Sequence, residues 1–346
     1  MTSTPASLRS AEARTGAHGH LWVPAATAGV LWCVMAASLW IGPSYIGPGA
    51  VVSGLFHPGS LNGVIVWQIR MPRIVLGALV GSALATAGVI FQTLFRNPLT
   101  DPYVVGSASG AAFGATLALV LVPASLLPWS LSVGAFVGAL AAVAGAVAIA
   151  SRTRASPMVN LLLIGYATSV ILGAAIALLL TVDRQDLESV FFWELGSLAS
   201  ASWQTVWITL PLTVSGSLVP LVLRSDLNAL LLGEDAARSL GVDVPRLRLL
   251  LIAAASLLTA AAVSAAGIIG FVGLVAPHAI RRLGGESHYR LLPTAALAGG
   301  AFLVAADSVA RSIPSLGEIP IGIVTALVGG PMFIYLLTQR QGSERD

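Results

Sequence analysis

Lysine is absent from this chain; all 18 basic residues are arginine. A phosphate-binding loop of the form GxxxxGK[ST] needs a lysine to reach the β- and γ-phosphates, so ATP chemistry of that kind is excluded in this chain, and energy from ATP, if the protein uses it at all, comes from a partner subunit. Cysteine is nearly absent as well. Cys33 is the only one and lies in an apolar run, which excludes an intrachain disulfide. The five histidines, His18, His20, His57, His278 and His288, lack metal-ligand spacing, and neither an HExxH sequence nor paired cysteines occur. No metal site, no catalytic cluster and no nucleic-acid partner are expected. Charged residues reach only 10%, against 56% hydrophobic, with 36 glycines and 19 prolines. That balance belongs to a polytopic membrane protein and excludes an ordinary soluble core.

What is present is a succession of long apolar runs. A span of about twenty apolar residues crosses a hydrocarbon core. On that measure spans are expected near 21–41, 73–95, 102–122, 131–150, 158–181, 203–223, 248–265, 267–280, 291–310 and 319–338, which makes ten and an all-α fold. Residues 1–20 read as a disordered polar tail, 21–338 as a single transmembrane domain, and 339–346 as a short tail. The uncharged stretch from Leu249 to Ile280 would make a helix of about 48 Å, too long for one crossing of about 30 Å. Gly267, Gly270, Gly273 and Pro277 therefore predict a turn near "SAAGIIG" and a short return helix ending at Pro277.

Ten spans put both termini on one side. Arg9, Arg14, Arg96, Arg152, Arg154, Arg224, Arg238, Arg246, Arg248, Arg281, Arg282, Arg290, Arg340 and Arg345 fall on that side, and only Arg70, Arg73, Arg184 and Arg311 on the other. The positive-inside rule then places both termini in the cytoplasm. Proton- or sodium-coupled carriers keep ionisable groups at mid-membrane, and such groups are scarce here. Asp307 and Glu194 fall near span ends or surface helices, and His278 at the inner boundary.

The segments "WQIRMPR", "FRNPLTDPYVVGSASGA", "FFWELGSLA", "LNALLLGEDAARSLGVDV", "GFVGLVAPH", "LLPTAALAGGAFLVAADSVAR" and "EIPIGIVTALVGGPMFIYLL" occur in that order. Through them the chain resembles the permease subunits of type II ABC importers for cobalamin, haem and ferric siderophores, from about residue 64 to the last span. The resemblance implies a homodimer in a bacterial cytoplasmic membrane. It also implies two separate ATP-binding subunits carrying ATP and Mg, an extracytoplasmic binding protein, and no cofactor in this chain. An iron chelate is ranked first as substrate; cobalamin, or an ion-coupled carrier, is the alternative.

The resemblance also assigns residues. Arg70, Arg73 and Arg311 stand where outward arginines dock acidic lobes of the binding protein; a guanidinium binds carboxylate through two parallel hydrogen bonds. Arginines that mark a lipid interface would look the same. In the loop 224–246, Leu232, Gly233, Glu234, Asp235, Ala236, Ala237, Arg238, Ser239, Leu240 and Gly241 stand where the family has its coupling helix to the ATPase. An ordinary loop helix between two glycines, with acids first and arginine last, suits the same residues. Asn160, Gly165, Tyr166, Thr168, Ser169 and Gly173 on the fifth span stand where the family lines its pathway, although small residues also serve close packing. The same ambiguity attends "GSASGAAFGA", where packing is preferred. Asn97 and Pro98 read as a turn, and "DRQDLESVFFWELGSLAS" as an interfacial helix bearing Phe191, Phe192 and Trp193.

Overall fold

The computed structural model describes residues 22–42, 47–123, 126–152, 157–182, 187–312 and 318–343, and among these every regular element is a helix. In chain order they are α1 Trp22–Ser38, α2 Pro48–Phe56, α3 Leu61–Leu94, α4 Ser107–Leu121, α5 Leu127–Ala150, α6 Pro157–Val182 and α7 Leu187–Glu194. There follow α8 Trp203–Val222, α9 Arg224–Leu231, α10 Glu234–Ser239, α11 Val244–Ala266, α12 Val272–Gly284, α13 His288–Ala310 and α14 Ile321–Ser343. Six are long and apolar enough to cross a membrane, and α1, α4 and the start of α14 are shorter apolar helices. With α12 these follow the ten expected runs. The polar tail 1–20 lies outside the described residues.

The most buried helix, α3, forms the centre of the bundle, packed by α8, α11, α12 and α13. Lipid supplies no hydrophobic force to drive helices together, so backbones must approach closely instead. Gly81 of α3 faces Gly299 of α13, and Gly110 and Gly114 of α4 face Gly138 and Gly134 of α5; a Cβ on any of them would fall within about 2.4 Å of a facing carbonyl oxygen. The glycines of "GSASGAAFGA" thus serve packing.

After a first α-helical turn, Leu61–Val64, helix α3 has a π-helical turn, Ile65–Arg70, in which Met71 N–H reaches Val66 O. In that register the carbonyl of Trp67 points at Pro72, which has no N–H. The indole of Trp203 donates to it instead, at 2.7 Å. At the other end Asn97 makes the expected turn, its Oδ1 accepting from Leu99 N–H at 3.0 Å.

The break between α11 and α12 lies where its length demanded, with Gly267 at φ +72° and Phe271 at φ +68°. Irregular backbone inside a membrane bundle survives only when its polar groups find protein partners. Here the Tyr103 hydroxyl donates to Ile269 O at 3.2 Å and accepts from Ile269 N–H at 3.3 Å, and Ser197 N–H donates to Ala266 O at 2.8 Å.

Three expectations need correction. The return helix does not end at Pro277; it continues to Gly284 with Pro277 inside it. A proline leaves the carbonyl four residues earlier without its helical donor. That carbonyl, Gly273 O, receives Gln92 Nε2–H at 3.0 Å, so the helix tolerates the proline. The run 102–122 is not one helix: a 3-10 turn, Pro102–Val105, ends at Gly106 with φ +90° before α4 begins. The last helix runs on to Ser343, past the expected end at 338.

Candidate functional site

Three regions carry the side chains that the sequence singled out. At one end of the bundle, Arg70 comes from the π-helical turn, Arg73 from the next turn of α3, and Arg311 from the C-terminus of α13. The structure gathers all three but turns them inward, with exposures of only 3%, 7% and 3%. For Arg73 and Arg311, nearer carboxylates explain this. Arg73 Nε donates to Asp307 Oδ1 and Oδ2 at 3.0 and 3.1 Å, and Nη2 to Oδ1 at 2.9 Å. Its Nη1 donates to both carboxylate oxygens of Glu318, at 3.0 and 3.1 Å.

Arg311 Nε lies 3.2 Å from Asp307 Oδ2, an ion pair one helical turn apart, and its Nη2 donates to Ser38 O at 3.0 Å and to Ser38 Oγ. Arg70 donates to Leu39 O. Three guanidiniums and two carboxylates thus join the ends of α1, α3 and α13, with one positive charge in excess. Asp307, Glu318 and Ser38 were not picked out as members of this site. Asp307 four residues before Arg311 was a readable signal; Ser38 and Glu318 were not.

At the opposite end, α9 and α10 form the loop between α8 and α11. Leu227 and Leu230 of α9 are buried. Asn228 Oδ1 on the same helix accepts from His288 N–H at 2.8 Å, and its contact with His288 Nδ1 is 2.9 Å, which fastens the loop to α13. The six-residue α10 lies between Gly233 at φ +114° and Gly241 at φ +86°, backbone that side-chain-bearing residues rarely adopt. Glu234 pairs with Arg238 at 3.7 Å and also with Arg248, while Ala237 is buried beneath the helix. Leu232 and Leu240, at either end of α10, are 71% and 65% exposed. Two exposed leucines thus flank the charged residues of α10.

The third region is α6, the least buried of the six long helices. Its residues divide by face. Tyr166 and Gly173 are exposed, in register with exposed Leu163 and Val170. Gly165 is buried, where a Cβ would meet Val104 O at 2.6 Å, and Ser169 Oγ accepts from Ser109 Oγ at 2.8 Å. Thr168 and Asn160 are half-buried. Gly165 and Ser169 face the chain's own helices because small residues let α6 close on the 3-10 turn and α4, while Tyr166 and Gly173 stand on the open face. Next in the chain, the interfacial segment is described over 187–200 and is helical only in α7, with Phe191 and Phe192 exposed and edge-to-face; residues 183–186 lie outside the described set. Half-burial pushes the Glu194 carboxyl at its end upward from the usual range.

Comparison with known proteins places this geometry. The model of the FecCD transport family matches residues 30–339. The cobalamin import system permease BtuC of Halobacterium salinarum is 48% identical over 278 residues, covering 80% of this chain and 74% of that protein. The hemin transport system permease HmuU of Yersinia pestis is 41% identical over 287 residues, covering 81% and 85%. A solved metal-chelate type ABC transporter in an inward-facing conformation matches with a TM-score of 0.81 and 33% identity, over 92% of this chain and 99% of that one. On sequence and fold together, the chain belongs to the FecCD transport family.

Proposed function

We propose that this permease forms one half of a homodimer in an ATP-driven importer for a large metal chelate, an iron chelate such as a ferric siderophore or haem. An extracytoplasmic binding protein delivers the chelate at the Arg70–Arg73–Arg311 end, and two ATP-binding subunits, holding ATP and Mg, act at the α10 end. Membership of the FecCD family carries this reading. The arginine distribution supports cytoplasmic termini, which puts α10 on the ATPase side. The exposed face of α6, with Tyr166 and Gly173, then borders the pathway between the two copies. Cobalamin is the second reading, favoured by the 48% identical relative named for it.

The test is uptake by vesicles holding the permease, its ATP-binding subunit and its binding protein, offered ferric siderophore, haem and cobalamin in turn. Accumulation of an iron chelate only when ATP is inside supports the first reading; accumulation of cobalamin alone replaces it with the second. Uptake that follows an ion gradient without ATP overturns both.

The α10 loop makes its own prediction. Replacing Glu234–Ser239 by a flexible linker, or Leu232 and Leu240 together by Asp, leaves ATP hydrolysis by the partner intact. Uptake falls about tenfold or more, the scale of a lost coupling free energy. Paired hydrolysis and uptake assays read the difference, and uptake at the normal rate refutes the assignment.

A further inference from the structure

We propose that Glu318 is a resident substitute for the partner's carboxylate: it occupies the accessible edge of the Arg73 guanidinium until a carboxylate of the docking binding protein replaces it. This rests on the docking role proposed above.

The two acids on Arg73 are held very differently. Asp307 takes the fork of Nε and Nη2, lies on α13, is shared with Arg311, and its side chain is 2% exposed. Glu318 takes a single nitrogen, Nη1, with both its oxygens, and its side chain is 34% exposed. A two-nitrogen fork gives the stronger and better-oriented pair, and a partly exposed ion pair is weakened by solvent. Asp307 is therefore the permanent member and Glu318 the exchangeable one. An incoming carboxylate would meet the same nitrogen with the same charge, so the cluster keeps its balance while Glu318 moves into water. The clustered arginines, hidden in the free permease, thereby become a docking site without any new charge entering the bundle.

The exchange leaves the backbone in place. Beyond Glu318 the chain passes Ile319 and Pro320 into α14, whose first N–H groups, Ile321 and Gly322, donate to Gly196 O and Leu195 O, both at 3.0 Å. Those carbonyls close the segment after α7. These two bonds, with Ile319 N–H on Ala310 O at 3.4 Å, hold the lead into α14 whether or not Glu318 is engaged, so only its side chain has to move.

The experiment measures docking of the binding protein that supports uptake by this permease. The permease sits with its ATP-binding subunits in lipid nanodiscs at fixed salt, and co-purification of those subunits verifies assembly of each variant. A bound competitor lowers apparent affinity by the fraction of sites it leaves open. Glu318→Gln is expected to tighten docking about three- to tenfold, with Glu318→Asp, one methylene shorter, tightening it less. Arg73→Gln is expected to weaken it about tenfold or more; should that variant fail to assemble, Arg73→Lys, which keeps the charge but loses the fork, takes its place with a smaller loss. Docking that is unchanged or weaker in both Glu318 variants, while the Arg73 variant also weakens it, overturns the substitution and leaves the docking role standing. Docking indifferent to Arg73 overturns both.

Discussion

Asp307→Ala is expected to destabilise the permease by about 3–5 kcal/mol, the cost of breaking a buried ion pair and leaving its cations uncompensated. The residue is 1% exposed, and its carboxylate answers Arg73 through three hydrogen bonds and Arg311 through an ion pair at 3.2 Å. Alanine leaves Arg70, Arg73 and Arg311 close together with only the part-exposed Glu318 against them. Arg73 then turns toward solvent or the ends of α3 and α13 separate. Thermal unfolding of detergent-purified protein reads the result as a midpoint lowered by on the order of 10 °C. Glu318→Ala is the contrast: its side chain is part-exposed and Arg73 keeps the Asp307 fork, so the loss is expected nearer the roughly 0–1 kcal/mol of a solvent-weakened pair and the midpoint moves less. Equal shifts for the two variants would contradict the unequal burial on which the cluster's division rests.

Gly88→Val is the second large effect. A Cβ at Gly88 would stand 1.9 Å from Gly273 O, and this is the carbonyl that Pro277 leaves open and Gln92 Nε2 fills. The residue cannot be accommodated by a rotamer change, because the obstacle is backbone. α12 must move away from α3, which breaks the Gln92 bond and re-exposes a buried acceptor. Overpacking of about 1–3 kcal/mol adds to an unsatisfied carbonyl of about the same size. Yield of folded protein and unfolding midpoint should both drop steeply. Gly145→Ala supplies the control, since nothing lies within 4 Å of the added methyl, and alanine favours a helix over glycine by about 1 kcal/mol. An unaffected Gly88→Val would mean that the two helices are not in backbone contact.

Much of this architecture was legible because lipid tolerates so few solutions. Runs of apolar residues must be helices of membrane length, and a stretch too long for one crossing must break, which the glycines after Ala266 duly mark. The glycine-bounded helix Glu234–Ser239 was equally plain, since positive φ at Gly233 and Gly241 has an obvious local signature. What escaped reading is what distant residues supply. Pro277 looks like a helix end until Gln92, 181 positions before Gly273, is seen to fill the vacant carbonyl bond. Arg73 looks like a surface cation until Asp307, 234 positions later, draws it inward. On α6 the polar and small residues seemed the natural lining, yet Gly165 and Ser169 are small because α6 packs through them, and the exposed side of the helix is mostly aliphatic, with one tyrosine.

The interruption after Ala266 carries one more consequence. An unbroken rod from Val244 to Gly284 would pass any push at the α10 loop straight through to its far tip. Cut by five residues and held there by the Tyr103 phenol and by Ser197 N–H on Ala266 O, it becomes two arms that meet at a joint, each seated on α3. Removing the Tyr103 hydroxyl would loosen that joint without shortening either arm.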